Sequence, residues 1–330
     1  MKKLKLISVL SACVLMSALK PAEMSGQSEA IFTQHWAMPT VLNPAATGET
    51  DFLRIRGGAR LQWLGIEHAP KTFIAAGDSP FKLLNKRVGA GVNIYQESIG
   101  LFSNLLVGVQ GSYKFNLLKG RVSIGLQLSY YNSRFRGEDI YIPDGDDYHQ
   151  PGDPSLPKET LTGNAFDAGI GLHYTHKLFH VGVSALHLTN PTVKLTREGD
   201  SATDTQQYET KLPTSIYFDA GGNIGINNSL FTLQPSLLLA SDLSDFSAQL
   251  TMRATYNRFL SFGLAYRWND AVGLMIGAEF KNFYLGYAYD IPTSAIARAS
   301  AGSHEVVIGY QMKLDFSAKN THSHKSIRIM

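Results

Sequence analysis

Val306-Val307-Ile308-Gly309-Tyr310-Gln311-Met312-Lys313-Leu314 is the stretch that decides how this chain is read. Val306, Ile308, Tyr310, Met312 and Leu314 stand at every second position. Val307, Gly309, Gln311 and Lys313 fill the places between them. A period of two sends successive side chains to opposite faces of a β-strand. One face of this strand is therefore apolar and the other small or polar.

The same two-faced pattern recurs toward the N-terminus. Val122, Ile124, Leu126, Leu128 and Tyr130 oppose Ser123, Gly125, Gln127 and Ser129. Leu250, Met252, Ala254 and Tyr256 oppose Gln249, Thr251, Arg253 and Thr255. In the earliest repeat, Leu53, Ile55, Ala59, Leu61 and Trp63 oppose Arg54, Arg56, Arg60 and Gln62. A soluble sheet does not readily bury a face with three arginines, whereas a water-filled lumen accepts them. The pattern predicts strands over 52–63, 70–79, 87–97, 102–115, 120–135, 164–177, 178–188, 213–226, 229–241, 245–257, 259–269, 272–280, 282–290 and 303–316. That is about fourteen, an even number as bacterial single-chain barrels have.

Connection lengths carry independent information. The turns at 116–119, 227–228, 257–258 and 281–282 are short, and the connections 136–163, 189–212 and 291–302 are long. Outer-membrane barrels keep short periplasmic turns and longer external loops. The expected fold is all-β: a transmembrane outer-membrane β-barrel of antiparallel strands over 52–316, with both termini periplasmic. A soluble β-sandwich is the competing architecture, and the alternation of connection lengths argues against it.

Composition agrees. The chain has 330 residues, 44% of them hydrophobic, with mean hydropathy −0.08. That is too polar for a bundle of membrane helices and suits strands with one wet face. The formal charge of +3 is too small to argue for nucleic acid.

Residues 1–27 read as a secretory signal: Lys2, Lys3 and Lys5, then an apolar run from Leu6 to Leu19, then small and polar residues. Cys13, the only cysteine, lies in a Leu-Ser-Ala-Cys sequence resembling a lipoprotein cleavage box, yet the apolar run continues past it. Residues 28–51 are a periplasmic segment or a plug for the lumen. Residues 317–330 are a polar tail.

Three stretches carry a family resemblance. They are QHWAMPTVLNPAATGE (34–49), QWLGIEHAPKTF (62–73) and GYAYDIPTSAIARASAGSHEVVIGYQM (286–312). Asn43-Pro44-Ala45, Gln62-Trp63, Ala69-Pro70-Lys71-Thr72 and Gly302-Ser303-His304-Glu305 resemble, in order and spacing, the hallmarks of the PorP/SprF family of type IX secretion system membrane proteins. The resemblance implies a non-enzymatic outer-membrane component of the secretion and gliding machinery of Bacteroidota. It would act in secretion or surface attachment of cargo such as adhesins, with lipid, other secretion components and cargo as partners. A porin or small-molecule uptake channel is the alternative.

Asn43, Pro44, Trp63, Pro70, Lys71, His304 and Glu305 are candidate partner-binding residues. For Asn43-Pro44 the plainer reading is a turn, and for Trp63 a place in the aromatic girdle. Arg54, Arg56, Arg60, Arg253 and Arg267 are expected to face the lumen. There they would hold an anionic ligand or an acidic plug, or join a network with carboxylates such as Glu279 and Asp290. Asp144, Asp146, Asp147 and Asp153 are either calcium ligands or a solvated acidic loop. His173, His176 and His180 offer no metal spacing along a single strand face. No nucleophile elbow, phosphate loop or cofactor motif is found.

Overall fold

The computed structural model describes residues 29–84, 86–140, 157, 159–197 and 208–314. The signal segment with Cys13, the aspartates at 144–153 and the polar tail lie outside the described residues. The strands are β1 (Phe52–Leu61), β2 (Lys71–Leu83), β3 (Lys86–Ile99), β4 (Phe102–Leu117), β5 (Gly120–Arg136), β6 (Thr160–Thr175), β7 (Phe179–Leu186), β8 (Thr192–Arg197), β9 (Tyr208–Lys211), β10 (Ser215–Gly222), β11 (Ile224–Gly225), β12 (Phe231–Ser241), β13 (Phe246–Tyr256), β14 (Leu260–Arg267), β15 (Ala271–Phe280), β16 (Phe283–Pro292) and β17 (Ser303–Lys313).

Fourteen of them close into an antiparallel barrel. β1 seals it by pairing with β2 on one side and β17 on the other, with Phe52 opposite Lys313 and Leu61 opposite His304. Among the described residues each of the fourteen barrel strands pairs with a neighbour on both sides, as a lipid environment requires. β11 is a short continuation of β10 on the same partner, β12. β8 and β9 form a hairpin within the connection from β7 to β10, where sequence patterning alone predicts a plain loop.

The barrel is inside-out relative to a soluble protein. Ile55, Leu128, Leu264 and Ile308 point outward and are 53%, 65%, 59% and 57% exposed. Gln110, Gln127, Asp167 and Gln249 point inward and are buried. Only lipid makes the exposed apolar face favourable. Aromatics ring the short-turn end, with the cross-strand pairs Phe231–Tyr256 and Phe283–Tyr310 each 5.0 Å apart between ring centroids. Trp63 is not among the strand aromatics. β1 ends at Leu61, and Trp63 sits in the following loop with a φ of +50°.

The chain itself occupies the lumen. Residues 29–50 run through it as a string of short turns: His35–Ala37, Pro39–Leu42 and Pro44–Ala46. Glu29 meets His187 and Tyr217 at the long-loop end. Glu49 meets Arg121 and Ser123 at the short-turn end, just before the chain enters β1. Glu29 and Leu314 thus lie at opposite ends of the barrel, and both chain termini lie outside the described residues. The plug threads the lumen because the inward faces offer it polar partners along its whole length.

Candidate functional site: the plugged lumen and its mouth

Asn43 caps the last turn of the plug, its Oδ1 accepting from the Ala45 amide at 2.9 Å. Its Nδ2 donates to the Leu172 carbonyl at 3.1 Å. Pro44 and Ala45 press against β5 at Gly125, where an added Cβ would stand 2.2 Å from the Ala45 nitrogen. A side chain there would exclude the plug. Asn43 and Pro44 are therefore buried lumen anchors.

The wall holds the rest of the plug through both charges and amides. Lys114 Nζ and Ser112 Oγ both donate to the Thr47 carbonyl, at 2.5 and 2.7 Å. Asp78 accepts from the Gly48 amide at 2.7 Å and pairs with Arg54 at 2.8 Å. Arg54 also donates to the Ala46 carbonyl at 3.3 Å. Glu49 accepts from Arg121 at 2.9 Å. Burial opposes ionisation of Glu49, but His173 and Arg121 outweigh it and hold the carboxyl down at about 2.

Toward the mouth, Arg60 is fully buried between Asp290 at 2.7 Å and Glu305 at 3.3 Å. Glu305 then accepts from the Thr33 and Gln34 amides, at 2.7 and 2.9 Å. Arg267 donates to the Ile31 carbonyl at 3.2 Å and to Gln249 at 2.9 Å. The Arg253 guanidinium lies 3.3 Å over the Trp36 ring, a cation–π contact in a desolvated setting. Arg56 reaches Gln311 at 3.3 Å, and Gln311 in turn donates to Glu279. All five predicted arginines face inward. Arg54, Arg60 and Arg267 bind wall carboxylates, Arg54 and Arg267 also reach plug carbonyls, and Arg253 stacks on Trp36 of the plug, so the interior network and the plug share these four.

At the first residue of the plug, His187 is clamped between two carboxylates. Its Nδ1 lies 2.6 Å from Asp167 and its Nε2 lies 2.7 Å from Glu29, which also accepts from the Tyr217 hydroxyl. Burial disfavours the imidazolium, but Glu29 and Asp167 prevail and raise His187 to about 10. The β8–β9 hairpin covers the same mouth. Val193 and Leu195 pack with Leu106, Tyr131, Leu161 and Leu212 in a buried apolar cluster.

The remaining motif residues meet at the rim. Trp63 donates its amide to Ser303 Oγ at 3.1 Å, and the Leu64 amide donates to the Gly302 carbonyl at 2.8 Å. Gly302 has a φ of +88°, and a Cβ there would stand 2.7 Å from the Asp290 carbonyl. Pro70 is buried and accepts from the Gln62 amide at 2.9 Å, while Lys71 is exposed. His304 bonds the Tyr287 hydroxyl at 2.7 Å on the outer face. Glu305 is only 1% exposed and faces the plug. Stretches far apart in sequence thus form one tied rim, which no single motif discloses.

Histidine placement also departs from single-strand reasoning. His173 on β6, His180 on β7 and Asp219 on β10 converge across three neighbouring strands.

The sequence model of the type IX secretion system membrane proteins PorP/SprF matches residues 24–310. The chain belongs to the PorP/SprF family. Its barrel is of the outer-membrane type. The toluene transporter TbuX of Ralstonia pickettii is similar in structure, with TM-score 0.50 and 12% identity over 84% of this chain and 93% of TbuX. The Acinetobacter baumannii outer membrane protein Omp33 gives 0.44 and 9% over 79% and 97%. A Pseudomonas aeruginosa FadL homologue gives 0.44 and 9% over 82% and 91%. At such identities the TbuX likeness shows the fold alone. No curated protein matches the chain in sequence. For a PorP/SprF barrel, what the geometry adds is a lumen occupied from mouth to base by the chain's own N-terminal segment.

Proposed function

We propose that this PorP/SprF protein is a closed, non-enzymatic docking barrel that supports secretion or surface attachment of cargo proteins, such as adhesins, in a Bacteroidota outer membrane. The observation that carries this reading is the plug. A lumen filled by residues 29–50 and roofed by the β8–β9 hairpin leaves the two ends of the barrel as the working surfaces. Family membership supplies the machinery, and loops concentrate binding on a rigid scaffold.

The long-loop end faces the exterior in this reading. The connections spanning 136–163 and 187–214 receive cargo there, while the short-turn end meets periplasmic components of the machinery. Trp63 and Lys71 belong to the exterior rim, beside the bonded pair of loops at 62–70 and 293–302.

Deleting the chain and comparing surface and medium proteomes tests the proposal. Loss of one large exported protein supports a dedicated cargo partner, and loss of many supports a core role. An unchanged set of exported proteins, together with steady ion conductance by the purified barrel, would overturn it in favour of a porin.

A further inference from the structure

We propose that His173, His180 and Asp219 form a zinc-type divalent metal site in the lumen wall, backed by Glu49 of the plug. One donor atom from each of the three lies within 4.8 Å of the others. His180 Nε2 stands 3.5 Å from Asp219 Oδ2, and His173 Nε2 stands 3.9 Å from the same oxygen. Those separations exceed ordinary hydrogen bonds. The trio faces one shared point without its members satisfying each other. Donors bound tetrahedrally at zinc distances stand about 3.3 Å apart, so small side-chain rotations bring all three onto one ion.

The strand register builds this pocket. His173 pairs with Gly182, and Gly182 pairs with Asp219, forming one row across β6, β7 and β10. His180 lies two residues from Gly182 on the same face of β7. The glycine leaves the hollow into which the side chains lean. An added Cβ at Gly182 would stand 2.2 Å from Asp219 Oδ1, and one at Gly221 would stand 2.4 Å from the His180 ring.

Two imidazoles and a carboxylate suit zinc and other first-row divalent ions, whereas magnesium and calcium select all-oxygen sets. His180 and Asp219 keep partial exposure, which leaves room for water as a fourth ligand. Glu49 Oε2 stands 4.0 Å from His173 Nδ1, the ring nitrogen turned away from the trio. A small rotation that closes this gap to a hydrogen bond would let Glu49 fix the tautomer and raise the basicity of a ligating His173. Because Glu49 belongs to the plug, a bound ion would fasten the plug base to three strands of the wall.

The test uses the tag-free mature protein folded in detergent, titrated with zinc chloride against a competing chelator. One zinc per chain is expected. His180→Ala should weaken binding by more than about 100-fold, and Glu49→Gln by about 10–100-fold, as loss of an outer-shell partner does. Gly182→Ala keeps every donor but drives a methyl into Asp219, and it should weaken binding as well. Cobalt should show the visible bands of a tetrahedral site in the wild type and lose them in His180→Ala. Heat-shifted gel mobility confirms that each variant is folded. Absence of stoichiometric zinc binding, or unchanged affinity in folded His180→Ala, overturns the site.

Discussion

The two ends of the plug are held by different chemistry. At the mouth, a few buried charges do the holding: Glu29 on His187, and the Thr33 and Gln34 amides on Glu305, itself paired with Arg60. At the base, the bonds are many and mostly to the plug backbone: Lys114 and Ser112 to Thr47, Asp78 to Gly48, and Arg121 to the carbonyl and carboxylate of Glu49. The base also continues covalently into β1, while the mouth end is the start of the described chain. A cluster of buried charges fails when one member is lost, because the survivors remain buried and unpaired. A distributed set of neutral and charge-assisted bonds loses only one part at a time.

Arg60→Ala should sharpen this contrast most. It strands Asp290 and Glu305, and a loss of about 3–5 kcal/mol is expected from urea unfolding in micelles. His187→Ala should cost about 2–3 kcal/mol and release only the mouth, since Asp167 and Glu29 are left facing each other. Arg121→Ala should cost about 1 kcal/mol, because its guanidinium is partly exposed and its neighbours keep hold of the plug base. Locating each effect is straightforward, since Cys13 is the only cysteine. Thr33→Cys reports thiol labelling at the mouth and Thr47→Cys at the base. If His187→Ala speeds labelling at both positions equally, the two ends are not independent.

pH separates the ends with the smallest perturbation. His187 has a folded value raised to about 10, so its contribution is complete below its ordinary value and is lost as pH rises through about 10. Glu49 is held down at about 2, so its contribution is complete above the ordinary carboxylate range and is lost only as pH falls through about 2. Glu29 is lowered too, so acid weakens both ends. With each rate taken relative to that of the unfolded chain, which removes thiol ionisation, mild alkali should therefore quicken labelling at position 33 more than at position 47. Equal quickening at both would mean that the two ends share one titrating anchor.

Much of the barrel was legible because it rests on local, repeating chemistry. Alternation in Val306–Leu314 and its counterparts marks the strands, and connection lengths mark the two ends. The inward set of Arg54, Arg56, Arg60, Arg253 and Arg267 follows from the same parity. Trp63 escaped because it alternates in phase with β1 yet takes a left-handed turn. The β8–β9 hairpin escaped because its strands are short and its stabilisation comes from Leu106, Tyr131 and Leu161 on other strands.

An apolar exterior, a polar interior and unequal ends follow from residue order alone, since a period of two commits every side chain to one face. What fills that interior comes from contacts made in the folded barrel. Asn43 reaching Leu172, Glu305 reaching Thr33, and His173 meeting His180 and Asp219 all join positions that are distant along the chain or carried on separate strands. Such meetings depend on strand register and barrel closure, which set partners across the lumen and leave no period in the sequence.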